Sequence, residues 1–179
     1  MKKKFSSALI ILSLLLPLLF FFSCSSGQEN NQQLDKEKLK EQLIRANKLF
    51  VNNQSDAIDD YVKRHDLQMD TTSTGLRIKI EKKGDGVKPN SGNNVTVSYV
   101  LSLIDGTHCY SSDSLGTLTF SMNHDDVPQG LRQAVSMMSA GDKALAILPS
   151  HLGYGLTGDA NKIPSNAILI YRIELMKIE

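Results

Sequence analysis

From Ala167 to the end of the chain, Leu169, Tyr171, Ile173 and Leu175 alternate with Ile170, Arg172, Glu174 and Met176. A side-chain period of two means an extended strand with one core face, and it puts Tyr171 on that face beside the leucines. The same pattern recurs upstream. Leu76, Ile78 and Ile80 alternate with Arg77, Lys79 and Glu81, and Val95, Val97, Tyr99, Leu101 and Leu103 share a face against Thr96, Ser98 and Ser102. Residues 107 to 112 and the alternating Leu118, Phe120 and Met122 extend the series, with Gly84-Asp85-Gly86, Pro89-Asn90-Ser91-Gly92 and Asp105-Gly106 as turns. One strong helix interrupts it. Asp125-Asp126-Val127-Pro128 opens that helix with acidic residues at the positive end of its dipole and a proline suited to the first turn. Leu131, Ala134, Val135 and Met138 form its buried stripe, Ser139-Ala140-Gly141-Asp142 stops it, and Lys143 to Leu148 returns as a strand. One helix supplies too few crossovers for a parallel sheet, so the expected class is α+β: a curved antiparallel sheet wrapped on one short helix.

The N-terminal third reads differently. Lys2, Lys3 and Lys4 precede an apolar run from Leu9 to Phe22 that is short for a spanning helix, and Ser23-Cys24-Ser25-Ser26 follows. This is the layout of an export signal over residues 1–23. Phe21-Phe22-Ser23-Cys24 resembles a bacterial lipobox, although Phe21 and Phe22 stand where an aliphatic and a small residue are usual. The resemblance implies lipidation of Cys24, a membrane anchor, and a folded part held in the cell envelope on the periplasmic side. Residues 24–33 are polar and read as a flexible tether. In residues 34–70, Leu39, Leu43, Ala46 and Phe50 recur at helical spacing, as do Ile58, Tyr61, Val62 and His65, with a break expected at Asn52-Asn53-Gln54-Ser55-Asp56. Two short amphipathic helices are therefore expected. Packing on the following domain, client capture, or a dimer through residues 34–66 are all uses open to them. Met69 to Gly75 reads as a linker before a domain spanning residues 71–179.

Composition narrows the function. The whole chain carries a formal charge of +1, and without residues 1–23 it has 17 basic against 19 acidic residues, or −2. Nothing in that balance suggests a nucleic-acid partner. If Cys24 is lipidated, Cys109 is left without an intrachain partner. His108 beside it would face the other side of a strand, so Cys109 reads as a small hydrophobe rather than a nucleophile. His124-Asp125-Asp126 lacks the further ligands a metal site needs, and no metal is expected. In the last loop, Leu152-Gly153-Tyr154-Gly155 and Ile163-Pro164-Ser165 place an aromatic between glycines and a proline of fixed φ, which a featureless hairpin would not need.

Several tracts together resemble the FKBP-type peptidyl-prolyl isomerases from Gly75 to Glu179. They are Val95 to Tyr99, Asp105-Gly106, Ser111-Ser112, Val127 to Leu131, Met138 to Asp142, Leu148 to Gly155 and Ile163 to Ala167. The resemblance implies a curved antiparallel sheet on a short helix, with a cavity between them for the proline of a polypeptide client. It implies a reaction that needs no cofactor, metal or nucleophile. It places Tyr154, Tyr99 and Tyr171 as catalytic residues, Tyr154 donating its hydroxyl to the peptide carbonyl, and Tyr171 standing for the usual phenylalanine. Val127, Pro128, Leu131, Leu118, Cys109, Tyr110 and Ile163 would bind substrate. Cys109 and Leu118 replace pocket phenylalanines, Tyr110 an aspartate, Pro128 an isoleucine and Leu131 the tryptophan that floors the cavity. These exchanges imply weakened activity and leave room for a non-catalytic client-binding module or chaperone on the same fold.

Overall fold

A computed structural model describes residues 27–123 and 127–179 of the chain. The expected signal, the lipidation site Cys24 and His124-Asp125-Asp126 lie outside them. Two compact units divide at Asn47, and the second, Lys48–Glu179, holds the sheet. Among the described residues, no helix is long and apolar enough to cross a membrane.

Helix α1 runs unbroken over Gly27–Arg64. It therefore includes residues 27–33, expected as tether, and the Asn52 to Asp56 stretch, expected as a break. Neither region contains a proline, and each Asn, Gln, Ser or Asp costs only up to about 0.7 kcal/mol relative to alanine in a helix interior. Tertiary anchors described below outweigh that cost for the second stretch. In the first unit, Leu39, Leu43 and Ile44 of α1 are exposed, and Arg45 lies 4.0 Å from Glu41 one turn away.

Seven strands follow: β1 (Asp70–Thr71), β2 (Arg77–Lys82), β3 (Asn94–Leu103), β4 (His108–Ser111), β5 (Leu118–Ser121), β6 (Lys143–Leu148) and β7 (Leu169–Ile178). Every pairing is antiparallel, in the order β1-β2-β6-β7-β3-β4, with β5 beside the first half of β3 and β4 beside the second. Residues 69–75 are thus not a free linker. Asp70 and Thr71 pair with Ile78 and Arg77, and a turn closed by Gly75 N–H to Thr72 O joins the two strands. A one-turn helix α2 (Ser112–Leu115) follows β4, and α3 (Gln129–Met137) is the helix expected after Pro128, whose carbonyl accepts from the amides of Leu131 and Arg132.

The alternation of β7 is realised. Leu169, Tyr171, Ile173 and Leu175 enter one core with Val95, Val97 and Leu101 of β3 and with Leu131, Ala134 and Val135 of α3. The other face is not left to solvent, as a strand with one core face would have it. Ile58 of α1 covers Leu145, Ile147, Ile168 and Ile170, with Tyr61, Val62, Leu67 and Met69 around it. This is why β6 reads Ala-Leu-Ala-Ile-Leu without a polar residue after Lys143: Ala144, Ala146 and Leu148 serve the first core, Leu145 and Ile147 the second. Arg77, 5% exposed, fastens α1 to β2 by bonding Asp59 Oδ1 at 2.7 Å and Ser55 Oγ at 2.7 Å, and donates to Gly75 O at 2.7 Å.

Candidate active site

Register alone brings two of the three tyrosine candidates together. Tyr171 pairs with Leu101 on one side and Ala146 on the other, and Tyr99 lies two residues along β3 on the same face. The rings of Tyr99 and Tyr171 meet with centroids 6.3 Å apart at 46°. Tyr99 is held further by its backbone N–H, which donates to Ser112 Oγ at 2.8 Å. Tyr154 arrives from the loop between β6 and β7 and packs, half-buried, on the same core.

Burial pushes the Tyr171 phenol well above its ordinary value, and the charge of an ionised Tyr154 would push it further. Burial also raises Tyr154, while its interaction with the Tyr171 hydroxyl works the other way. Both phenols are neutral at physiological pH, so the pair offers a hydrogen-bond donor at the edge of an apolar core and no charge.

The remaining candidates converge on that core but divide by exposure. Leu118 and Tyr110 are half-buried and packed against it, and Pro128 is half-buried at the cap of α3. Val127 and Ile163 are buried. Leu131 and Cys109, expected to touch substrate, are 0% and 1% exposed and sit beneath the surface as core. The Cys109 thiol lies 3.7 Å from Lys162 O, and burial, then the nearby Asp159 charge, pushes it up, away from the thiolate a nucleophile requires.

Three residues that no sequence pattern singled out fix the loop over this core. Asp159 Oδ1 accepts from the amides of Asn161 at 2.9 Å and Ile163 at 2.7 Å, and Oδ2 accepts from the Tyr110 hydroxyl. Asn161 Nδ2 donates to the same hydroxyl at 3.2 Å. Lys162 Nζ donates to Cys109 O at 2.8 Å and stands 5.3 Å from the centre of the Tyr110 ring. Tyr110, in place of an aspartate, thus finds its carboxylate on the opposite loop. The only local hint was Asp159-Ala160-Asn161, a turn-forming triplet whose side-chain bonds depend on where the loop folds. Gly158 completes the turn at φ +68°, where a Cβ would come within 2.1 Å of Ile163 O.

Burial alone would raise the Asp159 carboxyl, but the bonds from Tyr110 and from the Ile163 and Asn161 amides outweigh it and hold the carboxyl below its ordinary value of 3.8. A depressed carboxyl contributes fully above its unfolded value and loses that contribution as pH falls through the lower folded value. The Ile163 amide resonance should therefore stay unchanged down to about pH 4 and move only below it, and Asp159→Asn should abolish that transition. A midpoint at or above the ordinary carboxyl value in the unaltered chain would show that these bonds do not hold in solution.

Comparison with known proteins places this arrangement. The model of the FKBP-type peptidyl-prolyl cis-trans isomerase family matches residues 85–176. The isomerase FkpA of Aeromonas hydrophila is 41% identical over 110 residues, 61% of this chain and 40% of that protein. Human peptidyl-prolyl cis-trans isomerase FKBP2 is 36% identical over 107 residues, covering 58% and 75%, and the outer membrane protein MIP of Legionella longbeachae is 35% identical over 107 residues, covering 59% and 45%. The chain therefore spans about 40% of the FkpA relative's length. The crystal structure of FkpA from Escherichia coli superposes on 99% of this chain and 84% of that one, with a TM-score of 0.63 at 24% identity, a likeness of fold. With the matched segment running from the loop after β2 almost to the end of β7, and so through every strand that carries a tyrosine of the site, the chain belongs to the FKBP-type peptidyl-prolyl cis-trans isomerase family.

Proposed function

We propose that this chain is a peptidyl-prolyl cis-trans isomerase of reduced activity that assists proteins folding in the bacterial cell envelope. The observation that carries the reading is the uncharged tyrosine pair, Tyr154 over Tyr171, at the edge of an apolar core. An X-Pro bond exchanges slowly because resonance sets a barrier of roughly 18–20 kcal/mol. A surface that takes up the proline ring and offers a donor to the rotated carbonyl favours the twisted amide over the planar one, without covalent chemistry. In this reading Tyr154 is the donor, Tyr99 and Tyr171 form the apolar wall, and Leu118, Tyr110, Val127, Pro128 and Ile163 shape the proline seat. Leu131 and Cys109 support it from below. Pro128 has no N–H to offer a substrate, which supports reduced turnover and also the second reading, a client-binding chaperone without catalysis. Exchange NMR on a short X-Pro peptide separates the two: accelerated exchange by the full chain supports the enzyme, and line shapes that report binding without acceleration support the chaperone.

Residues 1–23 as an export signal and Cys24 as a lipidated anchor agree with the likeness to MIP, an outer membrane protein. Residues 71–179 carry the proposed chemistry. The exposed Leu39, Leu43 and Ile44 are suited to pairing with a second copy. Cys24→Ser should move the protein from the membrane fraction to the soluble fraction on cell fractionation; an unchanged distribution would rule out the lipid anchor.

A further inference from the structure

Gln54 is a polar side chain in a place where polar side chains are uncommon. It lies on α1, is 7% exposed, and has its amide pressed against the β6–β7 loop. Its Nε2 donates to Asn166 O at 2.9 Å, while its Oε1 accepts from Ser150 N–H at 2.9 Å and from Ser150 Oγ at 3.1 Å. The backbone partners fix which end of the amide is which, since a peptide N–H needs an acceptor and a peptide carbonyl needs a donor. Only a primary amide of this length meets both demands at once.

The two residues it bridges are the two ends of the segment that carries Tyr154. At one end, Ser150 O accepts from the amides of Gly153 and Gly155, the neighbours of Tyr154 on each side. At the other, Asn166 N–H donates to Gly155 O at 2.8 Å, and Asn166 holds φ at +60°, a conformation that must be maintained by its surroundings. Tyr154 is thus suspended between Ser150 and Asn166, and Gln54 sets the distance between them.

The geometry points to Gln54 as a positioning residue for Tyr154, making α1 the brace of the candidate active site. The inference rests on the isomerase reading for its kinetic consequence, although the brace itself is independent of catalysis.

The test compares three full-length variants by X-Pro exchange NMR, by hydrogen exchange of peptides covering residues 149–166, and by thermal melting. Gln54→Ala removes the bridge. Gln54→Glu keeps the shape and the acceptor for Ser150 but loses the donor to Asn166. Asp59→Asn loosens the same helix at Arg77, away from the loop. Gln54→Ala should lower kcat/KM about fivefold and speed exchange in 149–166, because both bridged backbone groups lose their partner. Gln54→Glu should show the same effects more weakly. Asp59→Asn should leave loop exchange unchanged and activity within about twofold. If a folded Gln54→Glu chain exchanges its loop and turns over as the unaltered protein does, the brace is refuted, even should Gln54→Ala fail to fold. If instead the unaltered chain accelerates no X-Pro peptide, the isomerase reading fails, and loop exchange alone decides the brace. An Asp59→Asn effect equal to that of Gln54→Ala would reduce Gln54 to general helix docking and overturn the proposal.

Discussion

Asp142→Ala is expected to lower the stability of the folded chain by about 2–4 kcal/mol. The carboxylate is 6% exposed and receives two backbone donors, Gly84 N–H at 2.6 Å and Ser139 N–H at 2.7 Å. It joins the loop after β2 to the turn between α3 and β6. Around it Gly86 N–H donates to Ala140 O, Ala140 N–H to Val87 O, and the Asp142 backbone exchanges bonds with Ser139 and Leu175. Alanine would leave the Gly84 and Ser139 amides without their acceptor, at ~1–3 kcal/mol for each group left unsatisfied. The approach is too close for compensation by repacking, since a Cβ on Gly84 would already lie 2.2 Å from Ala140 O. Thermal unfolding should show a midpoint lower by about 5–10 °C, and Asp142→Asn, which retains one acceptor, should lose roughly half as much. An unshifted midpoint for Asp142→Ala would mean that the clamp contributes nothing to stability.

The largest effect on turnover is expected at Tyr154. Tyr154→Phe keeps the ring and its packing on the core but removes the hydroxyl that faces substrate in the proposed mechanism. A donor realised mainly as the amide twists is worth about 1–1.5 kcal/mol, or roughly tenfold in kcat/KM. Unfolding should be unchanged within about 0.5 kcal/mol, because the hydroxyl is half-buried and at the site's edge. Near-ultraviolet titration of the remaining tyrosines gives a second readout, because the Tyr171 phenol loses the neighbouring Tyr154 that contributes to its upward shift and should titrate lower. Equal kcat/KM for Tyr154→Phe and the unaltered chain would remove Tyr154 from the mechanism while leaving the fold and family intact.

Much of this was legible in the sequence, for reasons that differ from residue to residue. Tyr171 could be oriented because a strand has a period of two and its neighbours Leu169, Ile173 and Leu175 leave one choice of face. The single helix after Pro128 was legible because Leu131, Ala134 and Val135 recur at helical spacing and the family tracts lie at its ends. Where reading failed, the cause was a contact between segments far apart in sequence. Asn52 to Asp56 looked like a break because its residues favour caps and turns in isolation; in the fold, Gln54 and Ser55 have partners at Ser150, Asn166 and Arg77 that keep them helical. Thr71 looked like linker because a two-residue edge strand has no period to detect.

The candidate site shows the same division more sharply. Tyr99, Tyr154 and Tyr171 could be proposed from their tracts. Asp159, Asn161 and Lys162 were not identifiable, because a carboxylate in a Gly-rich loop acquires meaning only when the loop closes on Tyr110 and Cys109 of β4. Side-chain order along single segments was enough to read the inward strand faces, the central helix and the tyrosines proposed for the site. Only the assembled fold puts Leu131 and Cys109 in the core and sets α1 against both ends of the Tyr154 loop. Those placements depend on distances between residues some 50 to 110 positions apart, which local periodicity does not encode.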